Sequence, residues 1–339
     1  MSNYGLSILP SITNKEMDIT AGSRSMRFLG IYGTAQTSDQ QKGYRAYIDI
    51  KGRTAGSQVY IVPIKIGAPY QDPVSTIVGL DYVKSYWLDG DRLWLQYTGV
   101  NDLTRWKFAE IAVFEVTAAS AYSGEYGIVL QDATNYLEIS DANSAGCCVW
   151  AGQVTISGSW SAPADIPMRD NCVIFANWSN PNVALGYNNA SKTISCYGLN
   201  GASASVTARI AIFSSGFFPT PPEYGFAIWN AQGQCTFSSD YPPLLIAGTV
   251  SLASRQNVWV STPVSQPLVP VSSAGVVKGA SVGNGYSSTF YCGIRMSGNQ
   301  ICGGPTYRTG MNTESSYTFP DGISPIAYPI LDADNYFTF

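Results

Sequence analysis

Val183-Ala184-Leu185-Gly186-Tyr187, a turn at Asn188-Asn189, and the return Thr193-Ile194-Ser195-Cys196-Tyr197 read as a β-hairpin. The returning arm alternates polar and apolar residues, the signature of a strand with one buried face. Upstream stand Tyr126-Gly127-Ile128 and the run Gly152-Gln153-Val154-Thr155-Ile156, and downstream stands Ile210-Ala211-Ile212-Phe213. The same four elements recur in the same order on either side. Before them come Tyr4-Gly5-Leu6, Gly30-Ile31-Tyr32, a hairpin at Tyr86-Trp87-Leu88, Asp89-Gly90 and Leu93-Trp94-Leu95, and Ile111-Ala112-Val113-Phe114. After them come Tyr224-Gly225-Phe226, Gly248-Thr249-Val250-Ser251-Leu252, a hairpin from Cys292 to Met296 turning at Ser297-Gly298-Asn299 into Ile301-Cys302, and Ile326-Ala327-Tyr328-Pro329.

Four elements in fixed order, three times, predict internal triplication. The boundaries fall near Ala121 and Pro219, giving units 1–121, 122–219 and 220–339. Each is long enough to bury a core of its own. The spacings differ mostly before the hairpins, where loop insertions belong.

Composition agrees with strands. The 339 residues are 45% hydrophobic but only 12% charged, about half the charge usual in a soluble protein. Ser, Gly, Thr, Asn and Tyr take its place, and no long stretch carries helical spacing. Short strands with Gly, Pro and Asn turns predict an all-β fold of three tandem β-sandwich-like domains. With few lysines to guard edge strands, Pro219-Thr220-Pro221-Pro222 and Pro242-Pro243 would do so, or contacts with other copies in a homo-oligomer would cover them.

Net charge is −4, with no basic cluster, so the footprint of a nucleic-acid partner is missing. No apolar run approaches the ~18 residues that span a bilayer, and no membrane insertion is expected. The start, Met1-Ser2-Asn3-Tyr4, lacks the features of a secretory signal, so export by the general secretory route is not expected. The seven cysteines, Cys147, Cys148, Cys172, Cys196, Cys235, Cys292 and Cys302, form no C-x-x-C. They read as small buried hydrophobes in a reducing compartment, and a four-cysteine zinc site lacks the usual pairing.

There is no histidine, which removes Ser-His-Asp and Cys-His catalysis, histidine bases and histidine metal ligands. Dinucleotide and P-loop fingerprints are absent; Gly279 to Gly285 reads as a mobile loop. Two acid pairs, Asp89 with Asp91 and Asp332 with Asp334, could in principle serve a glycosidase. Both sit beside turn residues, where Asp is expected for local hydrogen bonds. No catalytic residue, cofactor site or metal site is predicted.

Aromatic side chains are more suggestive. Tyr82, Tyr86, Trp87, Trp94, Tyr97 and Trp106 crowd the first hairpin. They could be cross-strand packing or a recognition surface, since Tyr and Trp give large contact area at little entropic cost. The stretch Ser281 to Ser288 is expected to be exposed. The candidate partner-binding residues are Tyr86, Trp87, Trp94, Asn284, Tyr286 and Tyr291.

The segment Glu223-Tyr224-Gly225-Phe226-Ala227-Ile228-Trp229-Asn230-Ala231-Gln232-Gly233-Gln234, continued by Thr236-Phe237-Ser238-Ser239-Asp240, resembles a recurrent phrase of distal tail proteins of long-tailed bacteriophages. The copies at Asn3 to Ile8 and Tyr126 to Asp141 carry only part of it. The resemblance spans about 20 residues per copy in this repeat pattern. It implies a virion protein of the tail tip or fibre, made in the bacterial cytoplasm, contacting other tail proteins and a bacterial surface protein or glycan. The first unit would anchor to the tail and the third would be the distal binder. Two rival expectations are a purely structural tail-tip connector or decoration protein, and a glycan-degrading tail enzyme.

Overall fold

The computed structural model describes residues 5–20, 26–34, 44–71, 78–98, 109–116, 127–131, 136–140, 146–315 and 321–339. Its regular structure is all-β: among the described residues the only helical pieces are two 3-10 turns, at Arg169–Asn171 and Ala333–Asn335. No described helix is long and apolar enough to cross a membrane. The Tyr4, Trp106, Ala121 and Tyr126 positions lie outside the described residues.

The first repeat contributes β1 (Gly5–Ile8), β2 (Met17–Thr20), β3 (Arg27–Gly33), β4 (Arg45–Asp49), β5 (Gln58–Lys65), β6 (Gly67–Gln71), β7 (Val78–Asp89), β8 (Arg92–Tyr97) and β9 (Glu110–Val116). The second contributes β10 (Gly127–Gln131), β11 (Tyr136–Ser140), β12 (Cys147–Ser157), β13 (Ser159–Ser161), β14 (Cys172–Trp178), β15 (Ala184–Asn188), β16 (Thr193–Tyr197) and β17 (Ser205–Ser214). The third contributes β18 (Ala227–Trp229), β19 (Cys235–Ser238), β20 (Gly248–Ser251), β21 (Val260–Ser261), β22 (Pro267–Pro270), β23 (Gly275–Gly283), β24 (Tyr286–Ser297), β25 (Gln300–Glu314), β26 (Gly322–Ile323) and β27 (Ala327–Asp332).

The pairing scheme is the same three times. Each repeat opens on a two-stranded antiparallel hairpin, β1-β2, β10-β11 and β18-β19. In the third repeat this hairpin lies within the segment Glu223 to Asp240. Its turn is held by Asn230, whose side-chain oxygen accepts from the Gln232 and Gln234 amides at 3.1 and 2.9 Å. Next, the glycine-led strand pairs with the Ile-Ala strand, which pairs in turn with a third: β3-β9-β5, β12-β17-β14 and β20-β27-β22. The second set is β4-β8-β7, β13-β16-β15 and β21-β25-β24. Its centre is the hairpin expected from sequence in all three copies.

The repeats are knit together rather than strung out. Pro270 and Val269 of β22 pair with β14, and Arg295 and Ile294 of β24 pair with β15, so the second and third repeats share sheet edges. Ile66 donates to the Ser273 carbonyl at 3.0 Å and Ser273 to the Ile64 carbonyl at 2.9 Å, tying the first repeat to the third. A further link closes a ring. Met26 donates to Leu244 (3.2 Å), Leu244 to Gly146 (2.8 Å) and Gly146 to Met26 (2.9 Å), all through backbone groups. One residue from each repeat, each upstream of its glycine-led strand, meets the other two, as an approximate threefold axis requires.

The sequence suggested three independent cores; the structure has one continuous buried cluster drawing Ile61, Phe114, Phe175, Phe213, Leu268 and Tyr328 from all three repeats. The physical reason is the shared edges. In a chain only 12% charged, an edge strand has little to keep another strand from pairing with it, and here the partner comes from the same chain.

Candidate functional site

Along β4, β8 and β7 the side chains alternate. Ala46, Ile48, Leu93 and Leu95 are buried, with Tyr86 and Leu88 packed against the same core. The intervening residues form three rows on the other face. Register places Arg45 beside Gln96 and Ser85, Tyr47 beside Trp94 and Trp87, and Asp49 beside Arg92 and Asp89. The middle row is aromatic and half-exposed. Trp87 and Trp94 lie with parallel planes, 4° apart and centroids 6.0 Å apart, and Tyr47 leans on Trp94 at 5.1 Å. The guanidinium of Arg45 lies 5.0 Å from the Trp87 ring and that of Arg92 3.9 Å from the Tyr47 ring. Arg92 also donates to Asp49 at 2.9 Å, and that hydrogen bond holds its cation firmly in the charged form. Of the sequence candidates, Trp87 and Trp94 belong to this face and Tyr86 turns inward.

In the second repeat the equivalent row, also two residues in from the last pair of the hairpin, is Ser159, Ser195 and Gly186. Beside Gly186 and Ser195 of this row lies a cavity of about 550 Å³. Gly186, Ser195 and Tyr197 form its floor; Lys65 and Glu110 of the first repeat and Tyr307 of the third complete the walls. Lys65 and Glu110 are register partners on β5 and β9, yet they splay apart. Glu110 accepts from Asn189 at 2.6 Å, while the Lys65 ammonium lies 5.5 Å from the Tyr291 ring. Asn189 in turn accepts from Lys192 at 2.6 Å, and Lys192 donates also to the Asp170 carbonyl at 2.9 Å. Burial pulls the Lys192 pKa down, opposed by nearby Cys172, Glu110 and Asp170. Tyr291 and Tyr307 stack at 4.4 Å, and Tyr197 stands 6.3 Å from Tyr307. Burial, reinforced by Tyr291 and Tyr197, pushes the Tyr307 phenol up to about 12, so it keeps its proton.

A comparison with known protein families matches residues 5–314 to the family described as "Family of unknown function (DUF6453)". The chain belongs to that family. The match spans every residue of the aromatic face and of the cavity. No match was found among curated proteins or among solved structures.

The remaining sequence candidates of this DUF6453 member separate in space. Tyr291 joins the tyrosine cluster beside the cavity. Asn284 and Tyr286 lie at the β23-β24 hairpin, where Gly283 pairs with Tyr286. Gly279 to Gly285 is therefore the bulged end of a hairpin, with register shifts on either side of Ser281, and not a loop outside the sheet. Asn284 (φ 50°) and Gly285 (φ 77°) both take positive φ, the conformation that suits a tight two-residue turn between twisted strands. Residues 281–285 are exposed as expected, but Ser287 and Ser288 are buried. The Asn284-Gly285 dipeptide was the signal for this turn.

Both acid pairs behave as turn residues. Asp89 and Asp91 flank Gly90 on the exposed turn, with Asp91 3.6 Å from Arg53. Asp332 accepts from the Asp334 amide at 3.1 Å, capping the last 3-10 turn. All seven cysteines are buried and unpaired; burial pushes the Cys148 thiol up to about 12, against the pull of backbone donors. Among the described residues no group of three or more acidic or cysteine side chains could hold a metal ion.

Proposed function

We propose that this chain is a non-enzymatic tail-tip protein of a tailed bacteriophage that attaches the particle to a bacterial surface receptor. The observation that carries the reading is the half-exposed row Tyr47-Trp94-Trp87 with Arg45 and Arg92 against its rings. Aromatic rings fixed on a sheet offer contact area already ordered before binding, and arginine beside them adds directional donors; such residues dominate recognition surfaces. The phage-like phrase at Glu223 to Asp240 supplies the biological setting.

In this reading the binder is the first repeat, which reverses the polarity expected from sequence. Around the third hairpin, Phe218 (53% exposed), Tyr224 (87%) and Trp229 (48%) offer apolar contact to a neighbouring tail protein. The same three side chains favour the second reading, a purely structural connector that touches only virion proteins. A glycan-degrading activity gains no support, because neither acid pair lines the cavity.

Purified protein added to an infection by the phage that encodes it separates the readings. Attachment predicts binding to host cells and a dose-dependent fall in infection, both reduced by Trp87→Ala with Trp94→Ala. No cell binding at micromolar concentration favours the connector.

A further inference from the structure

We infer that the junction cavity is a binding site for a neutral saccharide of one or two rings. The inference does not depend on the attachment reading; it rests on the cavity alone. Its volume of about 550 Å³ falls in the range of small-molecule sites, ~300–1,000 Å³. The chemistry of its surface is what a sugar needs. Two tyrosine rings, Tyr197 and Tyr307, face it and can cover the apolar C–H face of a pyranose. The hydroxyls of Ser195, Tyr197 and Tyr307 make no hydrogen bond with another described residue, so their donors and acceptors are available.

The charges argue for a neutral ligand. Lys65 and Glu110 contribute one cation and one anion to the same wall, and they do not pair with each other. Each can form charge-assisted hydrogen bonds with sugar hydroxyls, about twice as strong as neutral ones. An anionic ligand would gain from Lys65 and lose to Glu110, and a cationic one the reverse. Glu110 is held in place by Asn189, itself fixed by the buried Lys192, so the carboxylate is positioned before a ligand arrives. It is also the one carboxylate among the described lining residues. Glycosidic cleavage uses two, so the site is built to hold a sugar rather than to cut it.

The test is saturation-transfer NMR on the full chain with galactose, N-acetylglucosamine, lactose and chitobiose, alongside glucuronic acid and glucose 6-phosphate. At least one neutral sugar is expected to receive saturation and to bind more tightly than both acidic probes. Ser195→Trp puts an indole where the first repeat has Trp94 and is expected to abolish transfer. Lys65→Met, which removes only the ammonium, is expected to weaken binding about tenfold, the worth of one hydrogen bond to a charged group. Lys65→Met decides the matter if Ser195→Trp does not fold. The proposal is overturned if no neutral sugar receives saturation, if an acidic probe binds more tightly than every neutral one, or if folded Ser195→Trp or Lys65→Met binds as wild type does.

Discussion

The β4-β8-β7 face of the first repeat and the β13-β16-β15 face of the second have the same strands, the same pairing and the same hairpin at their centre, yet they present opposite surfaces. One row reads Tyr47, Trp94, Trp87 and stands out from the sheet; the other reads Ser159, Ser195, Gly186 and leaves a hollow. In the third repeat the matching hairpin pair is Arg295 and Cys302. There Arg295 is buried, donates to the Pro181 carbonyl at 2.7 Å and to Asn257, and lies 5.3 Å from the Trp259 ring. The inward residues keep the repeat, while the outward row is free to diverge. One copy of the row is displayed, one is emptied and one is spent on holding two repeats together.

The largest expected contrast is at the start of the glycine-led strands. In the first repeat Arg27 faces Glu115, a fully buried carboxylate 2.8 Å from the guanidinium that also accepts from the Thr54 amide and hydroxyl. In the second, Cys147 faces Ser214, whose hydroxyl donates to the Pro167 carbonyl. Glu115→Ala removes the ion pair with Arg27 and the acceptor of the Thr54 amide and hydroxyl, and is expected to cost about 3–5 kcal/mol in urea unfolding. Ser214→Ala is expected to cost only about 1 kcal/mol. Equal losses at the two sites would break the contrast.

The first repeat also carries Asp81 on β7, 3% exposed and with one carboxylate oxygen lacking a partner. Burial raises its pKa from 3.8 to about 7. The folded state therefore holds this proton where the unfolded chain has lost it. Its contribution is fully present below about pH 4 and is lost as pH rises through about 7. At about 1.4 kcal/mol per unit, the penalty above pH 7 reaches on the order of 4 kcal/mol. Asp81→Asn is expected to flatten the fall in melting temperature between pH 4 and pH 8; an unchanged slope would remove Asp81 as its source.

Copying the displayed row into the hollow one gives a smaller effect. A Cβ at Gly186 would sit 3.2 Å from the Tyr197 ring and 3.3 Å from Thr306. Gly186→Trp is therefore expected to strain the junction by about 1–3 kcal/mol, read as a lower urea midpoint. A neutral result would mean that the cavity is not shaped by this position.

Much of this was legible in the sequence. Alternation at Thr193 to Tyr197 and the recurrence of the Ile-Ala strands announced the hairpins and their order, because a one-sided buried strand writes its period into side-chain polarity. The ring through Met26, Gly146 and Leu244 was not legible, since backbone groups carry it and any residue could supply them. The cavity was hidden for a related reason. Its walls come from Lys65, Glu110 and Tyr307, far apart in the chain, and its floor depends on what Gly186 and Ser195 lack. Trp87 and Trp94 stood out as a cluster, but only the register showed that Tyr86 points away from them and that Tyr47 completes the row.

Recognition of a surface ligand by the displayed row is a proposal that an array of bacterial surface glycans can test. The tagged full chain is predicted to bind at least one glycan. Compared in chains whose cavity is filled by Ser195→Trp, Trp94→Ala is predicted to lose at least about tenfold in affinity, or about 1.4 kcal/mol, with melting behaviour showing it still folded. Binding by a folded Trp94→Ala as strong as that of its cavity-filled parent, or no binding by the wild type, would contradict the account.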